Sequence, residues 1–121
     1  MNETPPISPI SVEALADYLA NTKPSDAPEG VQLIDVREPH EVEIAALPGF
    51  ANLPLSESEQ WMGEIADRFD PHTETIVLCH HGIRSAHMCQ WLASQGFTHL
   101  RNVTGGIDAY SIVVDRSIAR Y

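Results

Sequence analysis

The run Thr75–Gly82, TIVLCHHG, constrains the fold more than any other stretch of the chain. It is apolar and β-branched, too short for a buried helix, and bounded by polar turn residues on one side and a glycine on the other. Val31–Val36, VQLIDV, is a second compact run of the same kind, closed by the polar cluster Asp35, Arg37 and Glu38 and then a proline that cannot continue a ladder. Helical signals lie around and between them. Ser56 with Glu59 three positions on is a capping-box pattern, which predicts a helix through about Phe69 carrying Trp61, Ile65 and Phe69 at spacings of four. Another is predicted from Ser85 to a stop at Gly96, with Ala86, Cys89, Leu92 and Ala93 on one apolar stripe. Ser11 offers a cap for a helix to about Asn21, on which Val12, Leu15, Ala16 and Leu19 recur at helical spacing. TKPSDAPEG reads as a turn-rich linker, residues 40–50 hold a helical turn, ANLPL and HLRNVTGG give short strands, and IDAYSIVV gives a last helix. Strands alternating with helices in this way imply an α/β domain with a parallel sheet covered on both faces. In such sheets sites form outside the carboxyl ends of the strands, where Cys79 and the Asp35/Arg37 cluster both fall.

Length and charge narrow the function. A chain of 121 residues supports one core, so we expect a loose lead-in over residues 1–8, with a short extended piece near Ile7, and a single domain over 9–121. Seventeen acidic residues against seven Lys and Arg give a net charge of -10, which repels phosphate backbones and anionic lipid. Neither nucleic acid nor a membrane is an expected partner. The segment MNETPPISPI has no basic start, and no stretch approaches the roughly 18 apolar residues that span a bilayer. The expected location is the cytoplasm, where two cysteines stay free thiols rather than form a disulfide.

A cysteine at the end of the strongest strand, followed by Arg84, points to nucleophilic attack on phosphorus or on sulfur. The thiolate is the reactive form, and a strand-loop-helix turn favours it: the helix near Ser85 turns unpaired N–H groups and a partial positive charge toward the loop, and Arg84 adds a full one. Asp and Glu are absent between Glu74 and Asp108, whereas Arg84, Arg101, His80, His81, His87 and His99 lie inside that interval. This is an island suited to an anion, although a buried strand and a sheet-packed helix carry few charges for packing reasons alone. Four residues separate Cys79 from Arg84, one fewer than in the phosphate-binding loop of cysteine phosphatases. The smaller cradle suits the single outer sulfur of a persulfide and disfavours a phosphatase or an arsenate reductase.

The pieces LIDVREPHE, LPGFANLPL, IVLCHHGIRS, LASQGF and VTGGIDAY, in this order over nearly the whole chain, resemble the single-domain rhodanese, or thiosulfate sulfurtransferase, family. The resemblance implies a three-layer domain with a five-stranded parallel sheet flanked by helices, a six-residue loop spanning Cys79 to Arg84, and a Cys79 persulfide cradled by backbone N–H groups. It also implies a reaction. The Cys79 thiolate attacks the outer sulfur of thiosulfate, sulfite leaves, and a second nucleophile such as cyanide or a thiol, including one on an acceptor protein, takes the sulfur. No metal or organic cofactor is needed. Two positions depart from the common pattern, since Ala46-Leu47-Pro48-Gly49-Phe50 stands where His-Ile-Pro-Gly-Ala is frequent and Tyr110 where tryptophan is usual. Neither lies in the loop.

Each residue also has a plainer reading. Cys79 is expected as the nucleophile rather than a core thiol, whereas Cys89, on the apolar stripe, is expected to be packing. His80, His81, Gly82, Ile83, Arg84 and Ser85 form the expected substrate-binding loop. Arg84 is expected to bind an anion, with pairing to a carboxylate as the alternative. His80 and His81 are expected to set loop polarity, because adjacent histidines on a turn seldom converge on one ion without further ligands. Gly82 is expected to supply positive φ or a close approach, and Ser85 a helix cap or a donor to the site. Asp35 and Arg37 are expected as an ion pair bracing the loop, with Arg37 a secondary binding candidate. A sulfur-relay or regulatory binding module is the alternative to an enzyme that turns over a small donor.

Overall fold

The structure is a computed structural model that describes residues 5–20 and 31–121. The β-branched run is its centre. β4 (Glu74–Leu78) lies in the middle of a five-stranded sheet with β1 (Ile7–Ile10), β2 (Val31–Asp35), β3 (Ala51–Asn52) and β5 (Leu100–Val103), in the order β1-β5-β4-β2-β3. Every neighbouring pair is parallel. The register brings Asp35 opposite both Leu78 and Asn52, and Val77 opposite Asn102. Asp35 and Asn52, which end β2 and β3, and Asn102, one residue before the end of β5, therefore lie at the carboxyl edge of the sheet within two register positions of Cys79.

Both faces of the sheet are buried, which is why its strands read as continuous apolar runs. On β4, Ile76 and Leu78 pack on one side with Leu15, Ile107 and Tyr110, while Val77 and Cys79 face the other with Trp61, Met88, Cys89 and Leu92. The first layer contains α1 (Val12–Ala20), whose Ala14 N–H is capped by Ser11 Oγ at 3.1 Å, and α6 (Gly106–Val113). The second contains α3 (Ser58–Trp61), α4 (Ile65–Arg68) and α5 (Ile83–Ser94). α2 (Pro39–Ile44) crosses beside the carboxyl ends of β2 and β3. α5 stops as its sequence predicts: Gly96 takes φ +95°, its N–H donates to Ala93 O, and the Phe97 N–H donates to Leu92 O.

The short extended piece expected near Ile7 is β1, and the Leu100 N–H donates to Pro6 O at 2.7 Å just before it. Two details differ from the sequence expectation. The helix expected from Ser56 to Phe69 is two short α segments joined by a 3₁₀ turn at Met62–Glu64 and preceded by another at Leu55–Glu57. Ser56 does not cap it, because its hydroxyl donates to Glu38 instead, and Gly63 weakens the helix where it breaks. α5 begins two residues before Ser85, on Gly82. The linker TKPSDAPEG lies outside the described residues.

Candidate active site

Strand β4 delivers Cys79 to the turn and α5 carries the chain away from it. The Cys79 residue is 1% exposed, and a cavity of about 260 Å³, lined by Cys79, His80, His81, Ile83 and Arg84, opens above it. Two donors meet its sulfur: the Gly82 N–H at 3.0 Å and the Ser85 hydroxyl at 3.2 Å. Both stabilise negative charge on Sγ. Ser85 Oγ also lies against Asn102 Oδ1, so one hydroxyl proton is shared between two acceptors, while Asn102 Nδ2 donates to Gly82 O at 3.0 Å. Asn102 thereby ties the loop to β5.

The loop is clamped from behind by α6. The Ile107 N–H donates to Cys79 O at 2.9 Å and the Asp108 N–H to His80 O at 3.1 Å. This approach leaves no room for a side chain on Gly106, where a Cβ would lie 2.5 Å from Cys79 O and closer still to His80 O. Gly82 combines positive φ, +98°, with the close approach to the sulfur expected as the alternative, its N–H lying 3.0 Å from Sγ, and a Cβ there would lie only 3.2 Å from Val103 O. Ser85, by contrast, is the third residue of α5 and a donor to sulfur rather than a cap.

Arg84 does not face an empty cavity. Its Nη1 and Nη2 donate to Glu41 Oε2 at 2.8 Å and Oε1 at 2.9 Å. Glu41 has four partners, the other two being the Glu38 N–H at 2.9 Å and the Tyr121 hydroxyl at 3.0 Å. The Arg84 bonds, with those from Glu38 and Tyr121, outweigh burial and hold the Glu41 carboxyl down at about 2, while Glu41 in turn raises Arg84. The island free of carboxylates in sequence is thus not free of them in space: Glu74 lies 3.6 Å from Arg101 and 3.7 Å from His99, and Asp108 lies 3.9 Å from His81.

Arg37 is fully buried and uses all five donors: two on Asp35 at 3.0 and 2.8 Å, one each on Glu41 O, Ala45 O and the Tyr121 oxygen. None remains for a substrate. The Asp35/Arg37 pair instead anchors Tyr121, whose ring stacks on His80 at 3.9 Å. Burial, with His81 beside it, lowers the pKa of His80 and favours the neutral ring. His80, His81 and Asp108 offer ligating atoms within 4.8 Å of one another. The two imidazoles are stacked 3.9 Å apart, so their in-plane lone pairs run side by side, and Asp108 is held by Arg120 at 2.9 Å. As arranged, the three do not form a ligand set.

Glu41, Asn102, Gly106 and Tyr121 are site residues to which the sequence reading gave no role. Glu41 stands inside the REPHE motif and Gly106 inside the double glycine, so both carried a local signal. Asn102 and Tyr121 carried none, since they arrive through the fold.

Comparison with known proteins follows the same lines. The profile of the rhodanese-like domain matches residues 13–112. Rhodanese-like/PpiC domain-containing protein 12, chloroplastic, of Arabidopsis thaliana is 45% identical over 121 residues, covering all of this chain and 40% of its own length. A putative sulfur carrier protein of Bacillus subtilis is 33% identical over 101 residues, covering 84% of this chain and 49% of its own. The chain thus spans less than half the length of these two relatives. A sulfurtransferase of Allochromatium vinosum is 31% identical over 105 residues, covering 87% of this chain and 89% of its own. Among solved structures, a rhodanese-like domain protein of Staphylococcus aureus superposes with a TM-score of 0.69 at 24% identity over 94% of this chain and 98% of its own, which shows the shared fold.

Proposed function

The chain belongs to the rhodanese-like domain family, and from that premise we propose that it is a sulfurtransferase working through a persulfide on Cys79. The thiolate attacks the outer sulfur of a small anionic donor such as thiosulfate. A new S–S bond forms at Cys79, the donor's S–S bond breaks, and sulfite leaves with the electron pair. An acceptor thiolate, on a small molecule or a protein, or cyanide then attacks the outer sulfur of the persulfide, and the Cys79 thiolate leaves. The sulfane sulfur passes from donor to acceptor with electrons balanced between the two, so the proposed cycle calls for no external oxidant, reductant or cofactor.

The observation that carries this reading is the pair of donors on Sγ, Gly82 N–H and Ser85 O–H, at the base of a cavity at the carboxyl end of β4. They stabilise the attacking thiolate, and the same thiolate when it leaves in the second half-reaction. The names of the Allochromatium and Bacillus relatives, a sulfurtransferase and a putative sulfur carrier, support sulfur transfer in general. The carrier also favours a second reading, in which the sulfur reaches Cys79 from a protein and the domain relays it. No described helix is long and apolar enough to cross a membrane. The working compartment on this reading is a reducing one, the cytoplasm, with both cysteines free.

Intact mass after thiosulfate treatment tests the proposal. A gain of about one sulfur atom that maps to Cys79, is absent from Cys79→Ala and is discharged by cyanide supports it. If thiosulfate leaves the wild type unmodified while a protein persulfide loads it, the relay reading replaces the small-donor one.

A further inference from the structure

Around the Cys79 sulfur the charge is arranged differently from what a compact dianion requires. The one arginine of the loop is neutralised by a bidentate carboxylate. Glu41 is in turn held from its far side by the Glu38 N–H and by Tyr121, and Tyr121 by Arg37, whose donors are all committed. A donor that needs the face of Arg84 now turned to Glu41 has to pull the guanidinium off a carboxylate that cannot follow. In the rest of the cavity lining Ile83 is apolar and 68% exposed, His80, stacked on Tyr121, is biased toward its neutral form by burial, and His81 has the Asp108 carboxylate 3.9 Å away.

We propose that Glu41 is a specificity-determining residue: by holding Arg84 it turns the site away from compact dianions and toward sulfane sulfur on a donor with an apolar body and at most one negative charge, the body resting on Ile83. The inference rests on the persulfide chemistry of Cys79 proposed above and names the donor class within it. An organic thiosulfonate is such a donor. The Cys79 thiolate bonds to its terminal sulfur, the bond from that sulfur to the sulfonyl sulfur breaks, and a sulfinate leaves with the electron pair. An alkyl persulfide delivers its outer sulfur in the same way: the Cys79 thiolate bonds to that protonated sulfur, the S–S bond breaks, the alkyl thiolate leaves with the electron pair, and the proton stays on the transferred sulfur until the Cys79 persulfide releases it to solvent.

The test compares benzenethiosulfonate with thiosulfate as donors to cyanide, reading thiocyanate. In a ping-pong cycle kcat/KM for the donor reports only the first half-reaction. Because the two donors differ in intrinsic reactivity, the informative quantity is how each variant changes their ratio. Glu41→Gln keeps an acceptor for the Glu38 N–H and frees the charge of Arg84. It is expected to raise kcat/KM for thiosulfate about tenfold, mainly through KM, while benzenethiosulfonate changes less than about threefold. Sulfate, an inert dianion, is expected to become a correspondingly tighter competitive inhibitor. Ile83→Ser, at an exposed position, is expected to lower the ratio of the benzenethiosulfonate value to the thiosulfate value about threefold. If Glu41→Gln does not fold, Tyr121→Phe removes one hydrogen bond from Glu41 and is expected to shift the ratio the same way by about threefold. A ratio unchanged in the folded variant, or both donors moving by one factor, overturns the assignment to Glu41. If neither donor adds sulfur to Cys79 in wild type, the persulfide reading itself falls, a result distinct from an unmoved ratio.

Discussion

Cys79 and Cys89 stand ten positions apart, are both almost wholly buried, and pack into the same side of the sheet, yet their surroundings differ in the polar partners they offer sulfur. Cys79 lies just past a strand end, where a turn and a helix start leave backbone N–H groups unpaired, and two donors reach its sulfur. Cys89 lies within α5, where the backbone N–H groups are spent on the helix and the neighbours are Trp61, Leu92 and Phe97. Burial pushes its thiol up to about 12, with the nearby Cys79 adding to the shift. Depth in the core therefore does not separate a reactive cysteine from an inert one. What separates them is whether the burial comes with polar donors and an opening.

The sharpest break between the two is all-or-none. Cys79→Ala is expected to abolish sulfur loading, and Cys89→Ala to leave it intact, with peptide mapping after thiosulfate or thiosulfonate as the measurement. Alkylation of the native protein is expected to label Cys79 first and Cys89 only on unfolding. The comparison fails if Cys89 carries the sulfur.

Next in size is Gly106→Ala. The new methyl group would press on the Cys79 and His80 carbonyls, and the φ of +63° is itself unfavourable for alanine, so a loss of roughly 2–4 kcal/mol in stability is expected together with loss of loading. Denaturant unfolding gives the first quantity. Cys89, remote from this clamp, is expected to stay protected from alkylation in whatever fraction remains folded. A variant as stable and active as wild type would show that α6 does not hold the loop.

Ser85→Ala is smaller. It removes one of the two donors to the Cys79 sulfur and leaves the Gly82 N–H, so about a tenfold slower loading is expected, equivalent to about 1.4 kcal/mol, with little change in fold. Single-turnover loading measures it directly. Equal rates would mean that Ser85 serves Asn102 rather than the sulfur.

The contrast between the cysteines also explains what was legible in the sequence. Cys79, Gly82 and Arg84 could be read because strand, turn and helix start are neighbours in the chain, and Cys89 because helical periodicity places it on a buried stripe. A parallel sheet covered on both faces was legible for the same reason, since β-branched runs and the turns that end them are local signals, whereas its five strands were implied only by the resemblance to the rhodanese family. The partners that define the state of Arg84 are not local. Glu41 reaches it across 43 positions, and Tyr121 reaches Arg37 across 84, so no window of sequence contains the contact. An expected anion site consequently proved to be occupied by a carboxylate of the chain itself. The broken helix before β4 was hidden differently, since Trp61, Ile65 and Phe69 keep the same spacing of four whether the backbone between them is continuous or interrupted at Gly63.

Cys89→Ala carries a modest effect at neutral pH that fades in alkali. Removing a fully buried sulfur leaves a small cavity, so a stability loss of about 1–2 kcal/mol is expected near pH 7. That loss then falls as the pH rises. The thiol's folded value, about 12, lies above the ordinary value of 9.0, so the folded state holds its proton where the unfolded state has released it. Wild-type stability owed to this group is complete below about pH 9 and is lost, by about 1.4 kcal/mol per pH unit, as the pH rises from there toward 12. The variant has no such group to titrate, so the difference between the two proteins should shrink through that window while the shared tyrosine titrations cancel. Urea midpoints for both at pH 7, 9 and 10.5 would show it. Parallel curves would mean that Cys89 ionises in the folded protein as readily as in the unfolded chain, and the distinction between a polar and an apolar burial site would lose its basis.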